Sequence, residues 1–240
     1  MTRLTIILAS GGEPIECMTA VRDELRALWR DSGFEPEFGA QVSFARRHPM
    51  TWMLGDLATG AIARRARREA ARPEFTAFGD AVLIDYEHRR GDTALRAAVT
   101  RRMVDATRES LPGRPVFVYG VPSLDGDGVI TDPAVADALC RHTRAASPGL
   151  YLRDRDANPK PSTVMTSFCR LRDIDCCPVL GGQLDGHGDP ISVDQAWALA
   201  REWGWRRHWL LWVNCSTPIS SISGGHARLA AAANALEVMR

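Results

Sequence analysis

With 240 residues, 45% of them hydrophobic and 25% charged, the chain has enough apolar material for a sizeable core, and its composition is that of a globular protein, well away from the disordered class. A formal net charge of +1 excludes a whole-molecule field that would draw in nucleic acid or an acidic membrane surface. No segment reaches the roughly 18 apolar residues of a membrane span, and the six cysteines, Cys17, Cys140, Cys169, Cys176, Cys177 and Cys215, show neither zinc-ligand spacing nor the density of a disulfide scaffold.

Short apolar runs alternate with longer amphipathic stretches, the pattern of a parallel sheet covered by helices. Leu4–Ala9 reads as a strand and is followed, from about Pro14 to Arg30, by a helix with Met18, Val21, Leu25 and Leu28 at helical spacing. A weaker strand is expected at Gln41–Ala45. A helix is expected over Thr51–Ala71, with Trp52, Leu57, Ala61 and Ile62 on one side and arginines on the other. Ala81–Tyr86 is the clearest strand, and a helix over Asp92–Leu111 is stopped by Pro112-Gly113. Pro115–Tyr119 is again extended. Asp132 and Pro133 provide an N-cap and a first helical residue for a helix running to Arg144.

Further on, Gly149–Arg153 reads as extended, Ser162–Leu171 as a short helix and Pro178–Gly182 as a strand. A capping-box pattern at Ser192-Val193-Asp194-Gln195 opens a helix through Trp203, His208–Val213 is a strand, and Ala227–Met239 is a closing helix. Seven or eight strands with intervening helices imply one α/β domain over residues 1–240, a compact TIM-like (β/α) barrel; a doubly wound open sheet is the alternative. Ala9-Ser10-Gly11-Gly12 lacks both the dinucleotide fingerprint and the P-loop lysine, so no nucleotide cofactor is expected.

Side chains alternate along a strand, so Leu83, Asp85 and Glu87 share one face. The two carboxylates then neighbour each other at the C-terminal end of the strand, where the βα loops of barrels and open parallel sheets build active sites. Like-charge repulsion between them would favour a proton donor near neutral pH, with Glu87, farther out, as the better acid. The competing reading pairs both acids with Arg89, Arg90 or another arginine in a structural ion network.

The segment Ala-Val-Leu-Ile-Asp-Tyr-Glu-His-Arg-Arg at 81–90 resembles the acidic strand of the hyaluronidase family, with Asp85, Glu87 and Arg90 in matching places. Three more segments follow in the family's order: Val-Tyr-Gly-Val-Pro at 118–122, Pro-Gly-Leu-Tyr-Leu-Arg at 148–153 and Leu-Leu-Trp-Val-Asn-Cys-Ser at 210–216. Asp80-x-x-Leu83-x-Asp85-x-Glu87 also resembles the acidic strand of chitinases, with Leu83 in place of one aspartate. The resemblance implies a retaining glycosidase in which the substrate's own 2-acetamido group attacks the anomeric carbon. Glu87 would protonate the glycosidic oxygen, Asp85 would orient and stabilise the acetamido group, Tyr119 and Tyr151 would hold it, and Trp212 would wall the sugar ring. Arg90 and Arg153, carried by the matching segments, and Gln183 and Asp185, in the polar loop after Pro178–Gly182, are expected to line the substrate cleft. The family's cysteine after Tyr-Gly-x-Pro is Ser123 here.

The implied partner is a glycan, with no cofactor and no metal. Nucleic acid and membrane are not expected as partners, and the sequence leaves the oligomeric state open. Met1-Thr2-Arg3 runs directly into a short apolar segment, so a cytoplasmic chain without a signal peptide is expected, a setting compatible with release by lysis or by phage. Arg64-Arg65-Ala66-Arg67-Arg68 reads as a solvated helix face before it reads as a polyanion site. A carbohydrate-binding or assembly module that keeps a glycosidase-like barrel without catalysis is the second functional reading.

Overall fold

A computed structural model describes residues 3–9, 14–29, 36–43, 60–85, 93–124, 129–150, 162–181, 198, 201–203 and 208–215. Seven parallel strands form one sheet: β1 (Arg3–Ala9), β2 (Glu37–Ser43), β3 (Ala81–Asp85), β4 (Val116–Val118), β5 (Gly149–Leu150), β6 (Val179–Gly181) and β7 (His208–Asn214). Its spatial order is β4-β3-β2-β1-β7-β6-β5, so the first and last strands in the chain are neighbours, in register from Arg3 opposite His208 to Ala9 opposite Asn214. That order is cyclic, and the two ends of the sheet approach each other. Beyond β4, Gly120 N–H donates to the Ser147 carbonyl at 3.0 Å, and Ser147 N–H donates to the Val121 carbonyl at 2.7 Å. The sheet is curled as a TIM-like barrel rather than laid open as a doubly wound sheet.

Side-chain alternation divides the apolar residues between an inside and an outside. Ile7, Ala81, Leu83, Phe117, Ala145, Cys177, Val179 and Leu210 fill the barrel. The alternate residues Ile6 and Leu8, Val82 and Ile84, Val116 and Val118, and Trp209 and Leu211 face outward and pack under helices. Both faces of each strand are therefore buried, which is why these segments read as unbroken apolar runs. The helices named among the described residues are α1 (Ile15–Trp29), α2 (Ala61–Ala70), α3 (Pro73–Ala77), α4 (Thr93–Ser110), α5 (Pro133–Thr143) and α6 (Ser162–Arg172). Met18, Val21 and Leu25 of α1 meet Leu4, Ile6 and Leu8, while Ile62 and Ala66 of α2 and Val99 and Met103 of α4 cover β2, β3 and β4.

Three expectations are corrected. The second strand begins at Glu37, earlier than the Gln41 start read from the sequence, because Gly39 acts as a packing residue and not as a breaker. A Cβ at Gly39 would stand 2.6 Å from the Ala81 carbonyl oxygen and 2.8 Å from Ile7 Cδ1, so only glycine lets β1, β2 and β3 close at that level. The helix expected across Thr51–Ala71 is interrupted at Gly60, whose φ of 68 is a left-handed conformation that cannot continue a helix, and α2 starts just after it at Ala61. Residues 51–59 lie outside the described residues. Asp132 does stand at the N-cap of α5, but at φ 49 its side chain makes no capping bond and its carboxylate instead meets Arg96 at 2.7 Å. The strand end at Tyr86, most of the helix expected before Trp203, and the closing helix over Ala227–Met239 also lie outside the described residues. A short antiparallel pair, Ser123–Leu124 with Ile130–Thr131, follows β4 and was not anticipated.

Candidate functional site: the C-terminal mouth of the barrel

All seven strands point the same way, so one end of the barrel collects their C-terminal residues. Asp85 is the last residue of β3 and continues the inward series of Ala81 and Leu83. It is half-buried, and its Oδ2 accepts a hydrogen bond of 2.7 Å from Gln41 Nε2 on β2. The same amide is held from its other side by Trp212 Nε1 on β7, which donates to Gln41 Oε1 at 2.6 Å. An indole N–H can only donate, so Gln41 must offer its oxygen to Trp212 and its nitrogen to Asp85. The three side chains form one directed chain around the mouth, crossing β1 in doing so: Trp212 lies opposite Ile7 in the β1–β7 register, and Ile7 lies opposite Gly39 in the β1–β2 register.

Tyr119 enters from the neighbouring strand. Its backbone N–H donates to the Ile84 carbonyl at 3.0 Å, which fixes it beside the end of β3. Its ring lies over Gly149, where a Cβ would stand 2.8 Å from Tyr119 Cε2 and from the phenol oxygen. Tyr119 and Trp212 are both half-buried and both rest on the apolar filling of the barrel, so each has one flank packed against the core. A carboxylate between a tyrosine and an indole suits a sugar, whose hydroxyls need polar partners and whose CH faces pack on aromatic rings.

Among the residues read as catalytic or substrate-binding, Asp85 and Trp212 are thus joined through Gln41, and Tyr119 is anchored to the strand that carries Asp85. Glu87, Arg90, Tyr151, Arg153, Gln183 and Asp185 lie outside the described residues. Gln41 was not read as a site residue. The signal was present: Phe38, Ala40 and Val42 are apolar, whereas Gln41 is a polar residue on the alternate face near the C-terminal end of the strand, where the mouth lies.

The opposite end of the barrel carries a different polar group. Arg3 pairs with Glu37 at 2.7 Å, Thr5 Oγ1 donates to Glu37 Oε2 at 3.2 Å, and His208 Nε2 is 2.9 Å from the same hydroxyl. Cys177 Sγ is 3.5 Å from His208 Nδ1, and Phe117 meets the imidazole edge-on with ring centroids 5.4 Å apart. Burial, reinforced by the Arg3 charge, pulls the His208 pKa down to about 4 against the opposing pull of Glu37 and Asp175, so the ring is neutral. A proton order from Cys177 to Nδ1, from Nε2 to Thr5 and from Thr5 to Glu37 satisfies every member.

All six cysteines are free. Burial raises the Cys140 thiol well above its ordinary value and pushes Cys215 up to about 12, so neither is a thiolate at neutral pH. On α2, Arg64, Arg67 and Arg68 are exposed, while Arg65 meets Glu69 at 2.7 Å. No described helix is long and apolar enough to cross a membrane, and no group of three or more described His, Cys, Asp or Glu side chains is arranged to hold a metal ion.

Comparison with protein-family models and with curated protein sequences returns no match. Among solved structures, the chain is similar in fold to bee venom hyaluronidase. The two share 12% identity over 91% of this chain and 76% of that one, with a TM-score of 0.47.

Proposed function

We propose that the chain is a glycoside hydrolase that cleaves an N-acetylhexosamine-containing polysaccharide with retention of configuration, using the acetamido group of the substrate as nucleophile. The observation that carries this reading is the Asp85–Gln41–Trp212 chain at the C-terminal mouth, with Tyr119 beside it: a carboxylate and two aromatic residues from three of the four motif segments, on or just beyond three different strands. Asp85, held as a hydrogen-bond acceptor, would orient the acetamido N–H and balance the positive charge that develops as its carbonyl oxygen attacks the anomeric carbon. Trp212 would support the sugar face, and Tyr119, with Tyr151, would hold the acetamido group. Glu87, two residues after Asp85 in the sequence, would give its proton to the departing glycosidic oxygen and then deprotonate the water that opens the cyclic intermediate.

The test is reducing-end release from chitin, peptidoglycan and hyaluronan oligosaccharides, comparing the parent with Glu87→Gln. Glutamine is nearly isosteric with glutamate but has no proton to deliver, so turnover should fall by about 10²–10⁴-fold while binding of the same oligosaccharides persists. A parent protein that binds these oligosaccharides but hydrolyses none from acidic to neutral pH would leave a carbohydrate-binding module in place of an enzyme.

A further inference from the structure

We infer that Gln41 is a positioning residue that sets Asp85 and Trp212 as one unit, an assignment that rests on the glycosidase reading above. Gln41 is half-buried on the polar face of β2 and makes two side-chain hydrogen bonds, each to a residue of the mouth: it donates to Asp85 Oδ2 at 2.7 Å and accepts from Trp212 Nε1 at 2.6 Å. The amide can serve both partners in only one orientation. Flipping it would set a carbonyl oxygen against a carboxylate and an N–H against an N–H. The indole therefore selects the orientation of the amide, and the amide in turn holds one oxygen of Asp85 as an acceptor. A displacement of the Trp212 wall, such as a sugar ring settling on it would cause, is passed to the carboxylate through a single side chain.

The backbone supports the same role. The absence of a side chain at Gly39 lets β1, β2 and β3 approach closely two residues before Gln41, so the amide rises from a part of the barrel that has no slack. Gln41 need not touch the reacting atoms to matter. Its effect runs through the carboxylate that does.

Two substitutions separate its two arms. Gln41→Glu keeps an acceptor for the Trp212 indole but replaces the donor to Asp85 with a second negative charge. Gln41→Leu removes both contacts at similar volume. The indole N–H cross-peak of Trp212, assigned by its loss in Trp212→Phe, reports the first arm in the absence of any substrate. Turnover of N-acetylated chitin oligosaccharides reports the second. We expect Gln41→Glu to leave the cross-peak near its parent position, lower kcat roughly 10- to 100-fold with little change in KM, and move the acid limb of the pH profile to higher pH, because two carboxylates then adjoin. Gln41→Leu should shift the cross-peak and worsen both kcat and KM. Parent-like cross-peaks in both variants would overturn the inference, as would an equal effect of the two substitutions on kcat, KM and pH profile. The cross-peak is readable even if the parent hydrolyses nothing, so failure of the hydrogen-bond chain is distinguishable from failure of the glycosidase reading.

Discussion

His208 shows how one half-buried side chain ties stability to pH. Its imidazole lies among Thr5, Cys177 and Phe117, with Arg3, Glu37 and Asp175 as the charges acting on it, and its pKa in the fold is about 4 against an ordinary 6.5. The unfolded chain therefore binds a proton that the folded chain refuses across this interval, and the stabilisation is fully present above pH 6.5 and lost as pH falls from 6.5 to 4. A depression of that size corresponds to something on the order of 3 kcal/mol. Urea midpoints of the parent should fall between pH 7 and pH 4.5 by more than those of His208→Gln, whose amide does not titrate in this range; parallel falls would show that the imidazole does not carry the effect. At this scale the sequence singled out Asp85, Tyr119 and Trp212 by residue type, and the structure gathers them at one mouth, while their chemistry belongs to the proposed function. Gln41 escaped because glutamine is an ordinary surface residue, and only the hydrogen bonds across two strands give it a role. His208 escaped for a related reason: its burial depends on Cys177 and Thr5, which are distant in the chain.

Between residue and molecule stand the helices, and α2 with α3 shows what holds one against the barrel. Glu69 is 5% exposed, and its carboxylate is shared by Arg65 at 2.7 Å and Arg72 at 2.9 Å, while Arg72 also reaches Glu74 on α3. The arrangement pins the end of α2 to the start of α3 across the Arg72-Pro73 break. Glu69→Ala would leave two guanidinium groups turned toward a partly dry site and should cost roughly 2–4 kcal/mol. The Arg102–Glu109 pair on α4 is more exposed, with Glu109 at 59%, so Glu109→Ala should cost less than about 1 kcal/mol. Comparable unfolding midpoints for the two variants would contradict this ranking. Strands buried on both faces and helices with apolar residues at helical spacing were legible because their signals are local, as in Ala81–Asp85 and Ile15–Trp29. The start of β2 and the break at Gly60 were not. Each turns on a glycine, and whether a glycine is a breaker, a close approach or a left-handed residue is decided by its neighbours in space.

The whole molecule follows from the cyclic order of its parallel strands. Because β1 pairs with both β2 and β7, residues from the two ends of the sequence meet, and Trp212 reaches Gln41 across more than two-thirds of the chain. The barrel was the first reading of the sequence and the open doubly wound sheet its alternative, since both alternate strands with helices; the cyclic strand order, with β1 paired to β7, bears out the curled barrel. That pairing also gathers Asp85, Tyr119 and Trp212 at one mouth, and the chemistry proposed for that mouth has a stereochemical signature. Attack by the acetamido oxygen followed by attack of water inverts the anomeric centre twice, so the first product keeps the configuration of the bond cleaved. The most direct measurement is a proton NMR time course of anomer formation during hydrolysis of β-linked N-acetylated oligosaccharides, begun before mutarotation obscures the product. The β-anomer should appear first, with no cleavage of the matching de-N-acetylated oligosaccharide; initial release of the α-anomer, or equal cleavage of both substrates, would contradict the account.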